Sequence, residues 1–155
     1  MGFQKQYFPE HAGAPAPLVA ETSRRVRFEE VDLLGMVWHG RYPSFLEEGR
    51  TAAGDKFGCT YQSFTDNQVM APLVQMHLDY LTPLRFDEIM RIETTMHWSE
   101  AMRLNYSYRI FGPEEKLVTR GYTVQLITNF SGDLLLTPPD WLQEFKDKWQ
   151  QGLLG

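Results

Sequence analysis

Tyr42-Pro43-Ser44-Phe45-Leu46-Glu47-Glu48-Gly49-Arg50-Thr51-Ala52-Ala53-Gly54-Asp55-Lys56-Phe57 is the stretch on which the architecture turns. Tyr42, Phe45, Leu46, Gly49, Ala53 and Phe57 recur at i, i+3, i+4 and i+7, while Ser44, Glu47, Glu48, Thr51 and Asp55 fall off that stripe. This is the spacing of a helix with one face on a core. Pro43 is tolerable only in a first turn, which places the start near residues 40–42. Gly58 is a natural stop, because glycine accepts the left-handed backbone that ends a helix. Gly49 and Ala53 lack bulk, so the stripe predicts one long helix lying close across a sheet.

From residue 72 onward the period changes to two. Val74, Met76, Leu78 and Tyr80 alternate with Gln75, His77 and Asp79; Met90 to Trp98 and Met102 to Ile110 alternate likewise; a further strand is expected from about Leu117 to Thr128. Breaks fall at Thr82-Pro83, Ser99-Glu100 and Gly112-Pro113-Glu114-Glu115. Ahead of the helix, Val26 and Phe28 alternate with Arg25, Arg27 and Glu29, which predicts a first strand between Glu21 and Glu30. A strand, a long helix and four successive strands describe an α+β chain with a mostly antiparallel sheet. Near the end, Thr137-Pro138-Pro139-Asp140 resembles a capping box with proline at the first helical position. The helix expected after it carries Trp141, Phe145 and Trp149 on one face, fit to cover a sheet edge or a neighbouring subunit. The organisation read from these signals is a flexible N-terminal arm over 1–21, one domain over 22–132 and a C-terminal helical tail over 133–155.

The 155 residues suffice for one domain with a real core. A net charge of −5 leaves no general nucleic-acid footprint, so an anionic ligand needs a local basic patch or a helix N-terminus. Cys59 is the only cysteine, which excludes an internal disulfide and points to a reducing compartment. No stretch has the length or apolarity of a membrane span or a secretory leader. Met1-Gly2 superficially suggests myristoylation, but Gln6 stands where Ser or Thr is wanted. A cytoplasmic protein is expected, without nucleic-acid or membrane partners.

Chemistry concentrates just before the helix. Asp32 stands close in sequence to a helix start, whose free N–H groups can polarise a carbonyl oxygen. A carboxylate opposite such donors suits acyl transfer, attacking the carbonyl carbon or taking a proton from the water that does.

The run Asp32-x-x-Gly35-x-Val37-x-His39-x-x-Tyr42-x-x-Phe45-x-Glu47 resembles the signature of the 4-hydroxybenzoyl-CoA thioesterase family, including its YbgC-type acyl-CoA thioesterases. The likeness continues through Val74, Met76, Leu78, Tyr80, Pro83, Arg85, Asp87, Ile92 and Thr94, and covers roughly residues 24 to 130. The resemblance implies a hotdog fold, an antiparallel sheet wrapped around one long central helix, here with a short C-terminal helix added. It implies hydrolysis of an acyl-CoA thioester to a free acid and CoA. Asp32 matches the catalytic aspartate, and His39 the residue whose backbone N–H polarises the thioester carbonyl. Gly35 matches the turn glycine, Tyr42 the aromatic of the first helical turn and Glu47 an acidic helix position. It further implies a homodimer with sheets joined edge to edge and active sites at the subunit interface, often associating into a tetramer. CoA enters as part of the substrate; no cofactor and no metal are implied. Gly40-Arg41 departs from the family pattern.

Other residues are weighed beside these. Glu47 is the reserve catalytic carboxylate. The His39 side chain invites an acid–base pairing with Asp32. Trp38 and Arg85 complete the expected substrate contacts with Gly35 and Tyr42, and Arg85, Arg91 and Arg103 are candidates for the CoA phosphates. Glu29, Glu30, Asp32 and His39 lack the spacing of a metal site. Cys59 reads as a packing residue, and Lys146 and Lys148 as a solvated helix face. The competing function is a non-catalytic hotdog module that binds acyl-CoA or acyl-carrier protein; retention of Asp32 with Gly35 counts against it. A hotdog hydratase ranks last, because no paired Asp and His lie on the helix.

Overall fold

Strand β1 (Leu18–Arg25) enters the sheet, and a hairpin-like excursion then leads to helix α1 (Tyr42–Phe57). Helix α2 (Tyr61–Asp66) and strand β2 (Val69–Met70) follow, then β3 (Leu73–Tyr80), β4 (Ile89–His97), β5 (Arg103–Phe111), β6 (Leu117–Leu126), β7 (Thr128–Asn129) and helix α3 (Asp140–Gln150). The computed structural model describes residues 6–155; the Met1-Gly2 pair lies outside them. Five strands form one antiparallel sheet in the order β1-β4-β5-β6-β3, and β2 and β7 make a separate two-residue ladder. The α+β hotdog arrangement implied by the resemblance is the one observed, a sheet curved around α1.

The helix has the expected ends. Pro43 lies in its first turn, and Gly58 closes it at φ 85° with its N–H on the Gly54 carbonyl. All six stripe residues are buried, Phe45 and Leu46 completely. Each of those two side chains contributes about 1.5–3 kcal/mol of burial. Their floor is the inner face of β4 and β5, where Met90, Ile92, Thr94, Leu104, Tyr106, Tyr108 and Ile110 are buried. Gly49 is the point of closest approach: a Cβ there would collide with Thr94 Oγ1 and reach Ile92 Cγ2 at 3.0 Å.

The first strand is displaced from its expected place. It runs Leu18–Arg25, not through Glu30, because its register on β4 ends where Arg25 meets Ile89, the first residue of β4. Leu18 and Ala20 face the core, whereas Phe28 is 79% exposed in a 3-10 turn over Phe28–Glu30. Leu18–Glu21, assigned above to the arm, are thus strand. Upstream, Tyr7 packs on His77 and Tyr122, and Phe8 on His97 and Tyr122, across the outer face of the sheet.

Two further expectations change at the C-terminus. No capping box forms: α3 starts at Asp140 with Pro139 as its cap, so Thr137 stands too far upstream to reach the first free N–H groups. Lys146 is half-buried, donating to the Ser99 carbonyl at 3.1 Å and lying 4.8 Å over the Trp98 ring. Only Lys148 fits the solvated-face reading, pairing with Glu144 at 3.2 Å. The tail packs within the chain: Leu142, Phe145 and Trp149 are buried, Trp149 meets Trp98 edge-on, and Trp149 Nε1 donates to the Ala16 carbonyl at 2.8 Å.

Helix α1 lies mainly on β1, β4 and β5, and meets β3 where Tyr42 packs edge-on against Tyr80. Met76 and Tyr80, whose register partners Thr123 and Thr119 are buried, remain exposed on that edge strand together with Leu73 and Val74. Among the described residues no helix is long and apolar enough to cross a membrane.

Candidate active site

Asp32 stands at the corner of a tight hairpin. Its N–H donates to the Met36 carbonyl at 2.8 Å, Gly35 N–H donates back to the Asp32 carbonyl at 3.0 Å, and Val31 bridges Val37 below. Gly35 adopts φ 76°, the left-handed residue that a three-residue hairpin loop requires after its turn. The carboxylate is oriented locally, Oδ1 accepting the Leu34 N–H at 2.8 Å, while Oδ2 has no partner among the described residues. Around it Leu33 is fully exposed and Leu34, Phe28 and Phe86 are largely so, with Phe28 and Phe86 meeting edge-to-face at 5.9 Å.

The returning leg carries the donors. Trp38 N–H donates to the Glu30 carbonyl at 2.9 Å, and the chain then turns through a 3-10 turn, His39–Arg41, directly into α1. The backbone N–H groups of His39 and Gly40 find no acceptor among the described residues. They form the positive end of the helix, open to an oxygen ligand. The turn is held from β3, where the Tyr80 hydroxyl donates to the His39 carbonyl at 2.9 Å. Burial raises the Tyr80 pKa, so the phenol keeps that proton. Gly40 permits the Trp38 ring to fold over the turn, since a Cβ would lie 2.8 Å from Trp38 Cε3.

Other expected site residues take varied positions. The His39 imidazole makes no hydrogen bond to Asp32; it lies against Trp38 at 5.1 Å and Tyr80 at 6.5 Å. Tyr42 is only 3% exposed, packed edge-on to Phe45 and Tyr80, and burial raises its pKa. It is a packing anchor for the helix start, not an open substrate contact. Trp38 is half exposed. Glu47 is solvent-exposed, unpaired among the described residues, and borders an open groove shared with Arg24, Arg27 and Arg41. Arg85 is exposed and its backbone bridges Met36, one residue pair from Asp32. Arg91 is committed elsewhere, to Glu21 at 2.8 Å and to Glu115.

The sequence reading assigned no supporting role to Glu30, Arg24, Arg41 or Tyr80. Glu30, 5% exposed, accepts Arg24 Nη2 on both carboxylate oxygens at 2.9 and 2.8 Å and the Arg27 N–H at 2.8 Å. Arg24 also reaches Glu48 on α1 at 3.3 Å, so one buried pair ties β1, the hairpin base and the helix together. Arg41, the departure from the family pattern, donates to the Glu29 carbonyl at 3.0 Å and joins the two 3-10 turns. Tyr80 was legible as a strand residue and as a position of the family likeness, but not as the group that holds the turn at His39.

Comparisons with known proteins show the family and the fold. A model of the thioesterase-like superfamily matches residues 26–145. Putative acyl-CoA thioesterase YneP of Bacillus subtilis is 29% identical over 99 residues, covering 64% of this chain and 72% of that protein. Acyl-CoA thioester hydrolase YbgC of Escherichia coli O6:H1 is 28% identical over 94 residues, covering 61% of this chain and 70% of that protein. A DHNA-CoA thioesterase structure from Staphylococcus aureus superposes with a TM-score of 0.77 at 23% identity, covering 86% of this chain and 91% of that one. At that identity the superposition speaks for the fold.

Proposed function

Given that the chain belongs to the thioesterase-like superfamily and is a thioester hydrolase, we propose that it cleaves acyl-CoA to a free carboxylic acid and CoA, with Asp32 as the reacting carboxylate. The observation that carries this reading is the hairpin that presents an unpaired Asp32 Oδ2 on its corner and the free N–H groups of His39 and Gly40 on its returning leg. Asp32 attacks the thioester carbon, expelling the CoA thiolate and forming a mixed anhydride that water then hydrolyses, or it deprotonates the water that attacks and expels the thiolate directly. In both cases the thiolate takes up the proton that water gives up. The N–H of His39 stabilises the oxyanion, a contribution of roughly a hundredfold or more in rate for a well-placed donor. Arg85 is the cation placed to meet the phosphates, because it is unpaired among the described residues and neighbours the hairpin.

A homodimer through the β3 edge belongs to the same reading. Leu73, Val74, Met76 and Tyr80 are exposed on an unpaired edge, which a second copy would satisfy by continuing the ladder. That association would also cover the apolar rim around Asp32. The buried, unpaired thiol of Cys59 suits a reducing, cytoplasmic setting.

The test is release of free thiol from short, long and aromatic acyl-CoA esters. Asp32→Asn should lower turnover by roughly a hundredfold or more, with the denaturation midpoint and the sedimentation behaviour unchanged. Full activity in Asp32→Asn together with loss in Glu47→Gln would move the chemistry to the helix. Binding of acyl-CoA without cleavage would instead favour the non-catalytic module.

A further inference from the structure

A second concavity lies under the C-terminal half of α1, closed by α2 and by the inner face of β5 and β6. It holds about 240 Å³, and Arg50, Cys59, Tyr61, Leu104, Tyr106 and Gln125 line it. That is space for about eight waters, or for one ring-sized organic molecule.

Its polar groups are unevenly satisfied. Arg50 Nε donates to the Tyr61 hydroxyl at 3.2 Å and Nη1 to the Tyr108 hydroxyl at 3.1 Å. Nη2 has no acceptor, and Arg50 has no carboxylate partner among the described residues. Asp55 borders the same cavity, but is exposed and forms no ion pair with Arg50. Burial by itself disfavours the guanidinium charge, and the two phenol oxygens more than offset that. Tyr108 does not neutralise it: burial raises its pKa, and that of the neighbouring Tyr106 still further, so both remain neutral phenols. The Cys59 thiol, pushed up to about 12 by burial, is neutral as well. The cavity therefore presents the charge of a half-buried Arg50, which no carboxylate among the described residues pairs.

Tyr106 supplies an independent observation. It is 4% exposed, it lines the cavity, and its hydroxyl has no hydrogen-bond partner among the described residues. Tyr61 accepts from Arg50 and so has its own proton to give. Gln125 spends its amide N–H on the Ala71 carbonyl, leaving its oxygen as an acceptor. One guanidinium edge and two phenol donors above the apolar walls of Leu104 and Phe64 match a monoanion with a planar pair of oxygens. A phosphate would bring more charge than the single cation can balance.

We infer that this cavity is a binding site for a small organic carboxylate, held by Arg50, Tyr106 and Tyr61 and separate from the Asp32 hairpin. Two sources share that chemistry. One is a free carboxylic acid. The other is the far end of a dicarboxylic acyl chain: Arg50 lies eight residues beyond Tyr42, about 12 Å along the helix. The second source rests on the acyl-CoA reading above; the first does not.

The experiment uses the full chain and two pairs of probes. Benzoate against benzamide, titrated calorimetrically, reads direct binding; adipyl-CoA against hexanoyl-CoA reads a preference in KM. Benzoate should bind and benzamide should not. Arg50→Gln should weaken benzoate about tenfold, and Tyr106→Phe about threefold. Tyr106→Phe deletes a hydroxyl with no protein partner, so it reads the site even if Arg50→Gln destabilises the fold. Arg50-dependent benzoate binding with equal KM for the two esters assigns the site to a free acid. A lower KM for adipyl-CoA that vanishes in the variants assigns it to the acyl terminus. The inference falls if neither benzoate binding nor the adipyl preference depends on Arg50 or the Tyr106 hydroxyl. Absence of all thioester cleavage would overturn the acyl-CoA reading and leave the benzoate result to stand alone.

Discussion

The two ends of α1 are built on opposite plans. At the N-terminal end the useful groups are backbone N–H donors and one carboxylate on an exposed hairpin, ringed by solvent-facing Leu33, Leu34 and Phe86. Under the C-terminal half they are side chains, Arg50, Tyr61 and Tyr106, converging from three different elements on a partly open cavity. Backbone donors are untouched by side-chain truncation, so the first end is sensitive to whatever sets its geometry. The second is sensitive to the identity of each side chain. On the proposed reading the same helix carries a carbonyl-polarising terminus and, about two turns on, a charged pocket.

The contrast can be broken at the hairpin base. Arg24→Met leaves the buried Glu30 carboxylate without its counter-ion, at a cost of about 3 kcal/mol in urea denaturation. Hydrolysis should fall with it, since the same pair anchors the Asp32 hairpin to β1. Gly49→Ala tests the helix between the two ends: the added methyl meets Thr94 and Ile92 and should cost about 2 kcal/mol, with both hydrolysis and benzoate binding disturbed. Retention of either function at full strength would show that the ends do not share one helix position.

Two smaller changes sharpen the comparison by touching one end only. Gly35→Ala meets no neighbouring atom but must hold φ 76°, a cost of about 1 kcal/mol that should appear as reduced kcat with benzoate affinity unchanged. Tyr80→Phe removes the hydrogen bond to the His39 carbonyl at a half-exposed site. We expect about 0.5 kcal/mol in stability and a modest fall in kcat. If Tyr80→Phe altered benzoate binding more than hydrolysis, the division of α1 into two independent ends would be wrong.

Much of the fold was legible because it rests on period. The stripe from Tyr42 to Phe57 and the alternation in β3 to β6 are local consequences of which face meets the core. The first strand was misplaced by the same rule, since Val26 and Phe28 alternate as well as Leu18 and Ala20 do. Pairing with β4 decided between them. The candidate site was half legible: Asp32, Gly35 and His39 are close in sequence and belong to one turn. Tyr42 was read as a contact because it matches the family's aromatic of the first helical turn; its ring is packed against Phe45 and Tyr80. Glu30 was weighed only as a rejected metal ligand, and its buried pairing was not legible because its partner Arg24 belongs to another element.

By itself the sequence determined the long helix with its proline start and glycine stop, the alternating strands, and the carboxylate–glycine–histidine order of the hairpin. Each of these depends on residues within a few positions of one another, where spacing translates directly into geometry. Only the tertiary structure decided where β1 ends, that Glu30 is locked by Arg24, that Tyr80 holds the turn at His39, and that Arg50 and Tyr106 line a charged cavity. These contacts join residues far apart in the chain. They exist because the sheet curls around α1, and no local period encodes which distant side chains that curvature brings together.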